Sequence, residues 1–290
     1  MKENRLTLDS GFVDVPGGRL YYEADGSGHP LLLIHGDLGS LRMWDEPVSS
    51  FAEQYRVICY DRRGFGRSET EHVDFSNRAD AAAVLEHAQP GATSCHIIGQ
   101  SKGGTIALDL AIERPALVDS LVLVNGGASG FQAQLPDGVN PAPFEEMERL
   151  WETKQWDRLA ALETQVWVDG WGQPPSRIDP GLRARVHDWI LTGYQAEKDE
   201  GQPQSLDPPA AERLVEVRAP TLVMIGAADE PGGVINGRRV AKLVEGARLI
   251  EFPGVAHMLH LEQPTRFIRL TLDFLASVDE APRQDHILGT

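Results

Sequence analysis

Residues 94–104 read Ser94-Cys95-His96-Ile97-Ile98-Gly99-Gln100-Ser101-Lys102-Gly103-Gly104, and the rest of the chain is best understood outward from them. The first half is a short apolar run with strand character, and a helical pattern starts after Gly99 and runs to about Arg114, where Pro115 stops it. A G-x-S-x-G sequence at such a junction is expected to form a turn too tight for side chains on either side of the serine. The Ser101 hydroxyl would then project at the edge of a sheet. The helix N-terminus behind it would offer backbone N–H groups and partial positive charge to a developing oxyanion. In a chain with 29 glycines the bare motif is a weak signal, and the strand–turn–helix context makes it a strong one. A serine before a helix is also a common N-cap. Flanking glycines and a preceding strand favour a nucleophile instead.

On either side, short apolar strands alternate with longer helical patterns, which predicts an α/β fold with a mostly parallel sheet. An antiparallel pair is expected over 11–24, turning at Pro16-Gly17-Gly18. Buried strands are expected at 30–35, 56–60, 94–98, 121–124, 221–225 and 247–252, and helices at about 41–54, 76–88 and 263–278. From 128 to 214 no β-periodic run occurs, and five of the six tryptophans fall there. Helices are expected in that stretch at 143–151, 156–167 and 181–195. The reading is a core formed by 1–127 and 215–290, with 128–214 inserted as a helical cap. Residues from Asp279 onward are polar and expected to be loose.

A chain of 290 residues is long enough to bury about three quarters of its surface. With 41% hydrophobic and 24% charged residues, it is not a disordered sequence. Its formal net charge of −16 repels phosphate backbones and anionic lipid, so neither nucleic acid nor a membrane is an expected partner. No apolar segment approaches the ~20 residues of a bilayer helix, and Met1 to Arg5 are polar, so a cytoplasmic location is expected. Cys59 and Cys95 lie inside apolar runs and read as buried reduced thiols. No His or Cys spacing suggests a metal.

A serine hydroxyl needs a base to become a nucleophile, and the base needs an orienting acid. Asp229 ends Gly226-Ala227-Ala228-Asp229, just after the strand at 221–225. His257 ends Gly254-Val255-Ala256-His257, after the strand at 247–252. Both loops belong to the sheet edge that carries Ser101. Glu230 is the rival acid and His260 the rival base; the Gly254 and Glu262 framing favours His257. His35 is expected to organise its own turn through backbone hydrogen bonds. Trp44, Trp167 and Trp171 are candidates for the wall of a substrate pocket, although aromatic rings fill cores as often.

Further landmarks accompany these. Leu32-Leu33-Ile34-His35-Gly36, the segment Asp61-Arg62-Arg63-Gly64-Phe65-Gly66-Arg67-Ser68, and His257 followed by Glu262-Gln263-Pro264 occur in order around the serine turn. With them the chain resembles the α/β-hydrolase superfamily over nearly its whole length, in the serine-nucleophile branch of esterases and enol-lactonases. The resemblance implies Ser101 as nucleophile, His257 as base, Asp229 as orienting acid, and an oxyanion hole from the backbone N–H groups of Asp37 and Lys102. It implies hydrolysis of a small-molecule carboxylic ester or lactone through an acyl-serine, with no cofactor. The haloalkane dehalogenase and epoxide hydrolase branches carry aspartate in place of this serine. Enzymes that hydrolyse C–C bonds, cofactor-free perhydrolases and acyltransferases share the triad, and a ligand receptor can use the same fold. Two residues depart from the pattern. Lys102 stands where an apolar residue is frequent, and Asp37 brings a carboxylate to a place built for an anion, unless it turns toward Lys102 or Arg42.

Overall fold

Runs such as Pro30–Ile34 and Cys95–Gln100 have no polar face to offer water, so they are stable only as strands covered on both sides. The computed structural model describes residues 9–135, 142–199 and 201–281. Its strands, in chain order, are β1 (Asp9–Val15), β2 (Gly18–Asp25), β3 (Pro30–Ile34), β4 (Arg56–Tyr60), β5 (Glu69–Thr70), β6 (Asp74–Phe75), β7 (Cys95–Gln100), β8 (Val118–Val124), β9 (Gln202–Pro203), β10 (Thr221–Gly226) and β11 (Arg248–Phe252). The main sheet runs β1-β2-β4-β3-β7-β8-β10-β11, with β5 attached to β2. The β1–β2 and β2–β4 pairs are antiparallel, and every pair from β4 to β11 is parallel.

The helices are α1 (Asp45–Phe51), α2 (Asn77–Ala88), α3 (Lys102–Glu113), α4 (Ala142–Glu152), α5 (Trp156–Glu163), α6 (Pro180–Gln195), α7 (Ala210–Arg213), α8 (Pro231–Leu243), α9 (Leu259–Glu262) and α10 (Pro264–Asp279). Because successive strand residues face opposite sides, Leu32, Ile34 and Ile97 pack with Val84, Ile106 and Val240 of α2, α3 and α8. Leu31, Leu33 and Ile98 pack with Phe51, Phe267 and Phe274 of α1 and α10 on the other side. Each such side chain contributes about 1.5–3 kcal/mol through burial. Helix α3 sits directly on β3: a Cβ at Gly103 would lie 2.1 Å from the Ile34 carbonyl oxygen, so only glycine allows the approach.

The chain leaves β3 on one side for β4 and returns on the other for β7. The carboxyl ends of β3 and β7 therefore diverge, and ligands of open α/β sheets bind in the crevice at such a point. The turn after β3 and Ser101 after β7 both open onto it.

The inserted segment is helical, with α4 and α6 close to their expected spans. The helix expected over 156–167 instead ends at Glu163 and continues as a π-helix, Thr164–Asp169. The stretch over 41–54 is a 3-10 turn, Leu41–Trp44, followed by the shorter α1. Strand β9, in a region without β periodicity, pairs with β6 over two residues, Asp74 with Gln202 and Phe75 with Pro203. A pairing that short uses main-chain groups and needs no side-chain alternation. The tail expected to be loose from Asp279 is tied down at its start, because Asp279 ends α10 and accepts from the Tyr55 hydroxyl at 2.8 Å. The expectations for Met1 to Arg5, and for residues beyond 281, fall outside the described residues. Cys59 and Cys95 are buried free thiols, and burial raises the pKa of both. Among the described residues no helix is long and apolar enough to cross a membrane.

Candidate active site

Ser101 adopts φ 53 and ψ −118, a conformation that costs a non-glycine residue on the order of 1–3 kcal/mol. Neighbouring backbone bonds hold it there. Its N–H donates to the Val124 carbonyl at 2.9 Å, and its own carbonyl accepts from Gly104 N at 2.9 Å and Thr105 N at 3.1 Å. The hydroxyl has no hydrogen-bond partner among the described residues. Gly36, in the turn after β3, passes so close that a Cβ there would lie 2.9 Å from Ser101 Cβ.

Asp229 and His257 meet, buried, with His257 Nδ1 donating to Asp229 Oδ2 at 2.7 Å. That bond leaves His257 Nε2 as the basic nitrogen. The other Asp229 oxygen accepts from Glu230 N at 2.7 Å. Glu230 faces elsewhere: its carboxylate caps α8 by accepting from Gly232 N at 2.6 Å and Gly233 N at 2.7 Å. His260 lies fully buried against Trp44 and Phe267, both ring nitrogens unpartnered, and burial, with the nearby His257, pushes it down to about 3. The structure thus separates the rivals at both positions.

Asn125 ties these loops together. Its Nδ2 donates to the carbonyls of His257 at 2.7 Å and Ala256 at 3.2 Å, and its Oδ1 accepts from Gly226 N at 2.7 Å. Asn125 itself sits at φ 47, which asparagine tolerates better than most residues. The sequence shows this position only as the end of a strand without a carboxylate.

In the turn after β3, His35 Nδ1 bonds the Gly36 carbonyl at 2.7 Å while its Nε2 accepts from Arg62 N at 2.9 Å. Burial, and then Arg62, push His35 down to about 3, so it is a neutral brace, in keeping with its expected role. Asp37 is engaged by the guanidinium of Arg62. Desolvation in the cavity would raise its pKa, but Arg62, with Lys102 and His35, holds it below the ordinary carboxylate range, and the side chain is 59% exposed. Arg42 instead pairs with Glu23 and Asp45. The backbone N–H groups of Asp37 and Lys102 donate to no described residue.

A cavity of about 1180 Å³ opens between this turn and the inserted helices. Asp37 and Lys102 line it from the core, and Trp156, Glu163, Trp189 and Tyr194 from the insertion. Ser101, His257 and the expected wall residues Trp167 and Trp171 are not among its lining residues, whereas Lys102, next to the serine, is. Trp167 lies on the histidine side, its ring 4.9 Å from that of His257 and its carbonyl accepting from His257 N at 3.2 Å. Trp171 stacks on Phe144 at 5.5 Å and hangs from the Ala228 carbonyl at 2.9 Å. Trp44 is placed differently from the expectation of a pocket wall. The 3-10 turn after Ser40 directs its ring into the core, where it is 0% exposed.

Glu163 accepts from the Tyr194 hydroxyl at 2.6 Å. Burial pushes its pKa from 4.5 up to about 7, opposed by the Tyr194 bond and assisted by Asp37. The folded chain therefore binds this proton more tightly than the unfolded chain. The associated stability is complete below pH 4.5 and is lost as pH rises through about 7. Glu163→Gln should be more stable than the parent at pH 8 by on the order of 1–3 kcal/mol, allowing for cavity water around the carboxyl. The two should coincide at pH 4. Urea unfolding at both pH values measures the difference, and an equal shift at both would contradict a half-buried, proton-retaining Glu163.

Arg177 fastens the insertion to the histidine loop. Its guanidinium donates to the carbonyls of Val168 at 2.6 Å, Gly254 at 2.9 Å and Asp169, and forms a bidentate pair with Glu262. Glu262 also accepts from Ala256 N at 3.0 Å, next to His257. The two side chains are only 11% and 8% exposed. Arg177→Met strands a buried carboxylate and should destabilise the protein by about 3–5 kcal/mol. Arg177→Met/Glu262→Leu should recover the part of that loss due to the stranded carboxylate in the same unfolding assay, the bonds to the three carbonyls and Ala256 N staying lost. Additive losses would mean the pair is not coupled.

A family model described as alpha/beta hydrolase fold matches residues 29–264. The chain is 29% identical over 286 aligned residues to the RutD protein of Azorhizobium caulinodans, provisionally named a carbamate hydrolase, covering 90% of this chain and 96% of that protein. It is 28% identical over 278 residues to the 2-hydroxymuconate semialdehyde hydrolase of Pseudomonas sp. strain CF600, with 91% and 93% covered. Among solved structures it resembles the enol-lactonase of Burkholderia xenovorans LB400, with a TM-score of 0.72, 21% identity, and 92% of this chain and 100% of that one covered. At that identity the likeness concerns the fold alone.

Proposed function

The chain belongs to the α/β-hydrolase fold family, and from that premise we propose that it hydrolyses a carboxylic ester or lactone of a small to medium, partly hydrophobic molecule. The reading is carried by the 2.7 Å bond between His257 Nδ1 and Asp229, beside the strained turn that presents Ser101. Ser101 Oγ attacks the carbonyl carbon as His257 Nε2 takes its proton, and the oxyanion rests on the N–H groups of Asp37 and Lys102. His257 then protonates the leaving alkoxide, which departs as the alcohol and leaves an acyl-serine. Water gives a proton to His257, attacks the acyl carbon, and the acid is released as Ser101 recovers its proton. Asp229 holds the ring in orientation and stabilises the imidazolium. Trp167 stands beside the His257 ring, and the helices inserted after β8 act as the cap.

Covalent labelling of the wild-type protein by a fluorophosphonate tests this directly, with turnover of short 4-nitrophenyl esters alongside. The expected result is one adduct on the peptide that contains Ser101, and ester cleavage that the adduct blocks. Neither adduct nor turnover would overturn the proposal and favour a ligand receptor on the same fold. Cleavage of a C–C bond, or transfer to an alcohol or peroxide, would use the same three residues. Product analysis with a competing alcohol separates transfer from hydrolysis.

A further inference from the structure

Lys102 breaks a local rule. It is the first residue of α3, a helix of 12 residues whose N-terminal N–H groups carry partial positive charge and repel a cation. Its side chain is exposed into the cavity, yet no hydrogen bond or ion pair to a described residue engages its ammonium group. The other cations of that cavity are occupied. Arg62 holds Asp37, Lys154 holds Glu197, and Lys198 is bound by the carbonyls of Gly66 and Ser68.

The cavity lining carries six carboxyl groups against four Lys and Arg side chains, so what singles out Lys102 is its own position and not a surplus of positive charge. Asp37 is held by the guanidinium of Arg62, so Lys102 lies near that carboxylate without pairing with it. Glu163, the carboxyl coupled to Asp37 from the insertion, is pushed up to about 7 by burial and so supplies no full countercharge at neutral pH. Glu152 and Asp188 line the cavity from α4 and α6. A cation that disagrees with its helix, stands next to the nucleophile and has no hydrogen-bond or ion-pair partner among the described residues is open to a ligand.

We propose that the substrate carries an anionic group, a carboxylate on its acyl portion, and that Lys102 Nζ binds it. This rests on the ester-hydrolase reading, because Lys102 follows the nucleophile and stays beside the acyl group through both half-reactions. The site thus selects half-esters or lactones of dicarboxylic acids over neutral acyl chains.

The test compares 4-nitrophenyl hydrogen glutarate with methyl 4-nitrophenyl glutarate, which differ in whether the distal carboxyl is charged. Wild type should favour the anion by about tenfold or more in kcat/KM. Lys102→Met should abolish that preference and Lys102→Arg should keep it. The readout is the ratio of the two substrates within each protein, so any general effect of the substitution on turnover cancels. A wild-type preference of one or less, or a ratio unchanged in Lys102→Met, would overturn the proposal while ester hydrolysis stands. If neither ester turns over and no fluorophosphonate adduct forms, the hydrolase reading fails by itself. Calorimetric titration with glutarate then decides the anion site: saturable binding lost in Lys102→Met supports it, and no binding overturns it.

Discussion

Ser101→Ala should lower kcat/KM for a 4-nitrophenyl ester by about 10⁴- to 10⁶-fold and eliminate the fluorophosphonate adduct, while leaving the protein folded. The loss is large because the covalent route disappears altogether and His257 has no hydroxyl to activate. It is not total, because the oxyanion donors and the binding surface remain and retain some acceleration over water. Folding should survive because the hydroxyl has no partner among the described residues, so alanine leaves no donor or acceptor unsatisfied. The strain at φ 53 is shared by serine and alanine, since both carry a Cβ, so the melting temperature should be nearly unchanged. A variant that kept a hundredth of the wild-type rate would show that the nucleophile lies elsewhere.

Much of the candidate site was legible because each of its three residues follows a recognisable strand, Ser101 directly and Asp229 and His257 after a short loop. In a parallel sheet, such loops collect at one edge whatever their separation in the chain. The apolar runs that became β3, β7 and β10 are buried throughout, which is why composition alone located them. What stayed hidden depends on direction or on long-range pairing. The partner of Asp37 follows from register: Ile34 pairs with Tyr60, so the turns after β3 and β4 lie side by side and Arg62 reaches Asp37. Without the strand order, Lys102 and Arg42 were equally reasonable partners. Trp44 was misplaced because a sequence window does not say which way a 3-10 turn directs a ring. Asn125 and Arg177 act mainly on carbonyls far along the chain, across 132 and 77 residues in two of their bonds. A side chain that serves backbone oxygen atoms leaves no pattern of residue types to find.

The same distinction separates the adjacent carboxylates Asp229 and Glu230, and their variants should diverge sharply. Asp229→Asn should cost about 10⁴-fold in kcat at neutral pH. An amide facing Nδ1 can turn its NH₂ toward the ring, which favours the tautomer with the proton on Nε2. That nitrogen then cannot accept the proton of Ser101, although every atom stays close to its wild-type position. Glu230→Gln should leave turnover within a few-fold, because Glu230 meets neither His257 nor the cavity. Its effect should be on stability, roughly 1 kcal/mol or less, through the weakened cap on α8. Measured together, kcat and the unfolding midpoint form a two-by-two comparison. Turnover lost in Asp229→Asn with stability retained, and the converse in Glu230→Gln, is the expected pattern. If the two residues exchanged these phenotypes, the 2.7 Å bond to His257 would be a structural contact and the orienting acid would be its neighbour.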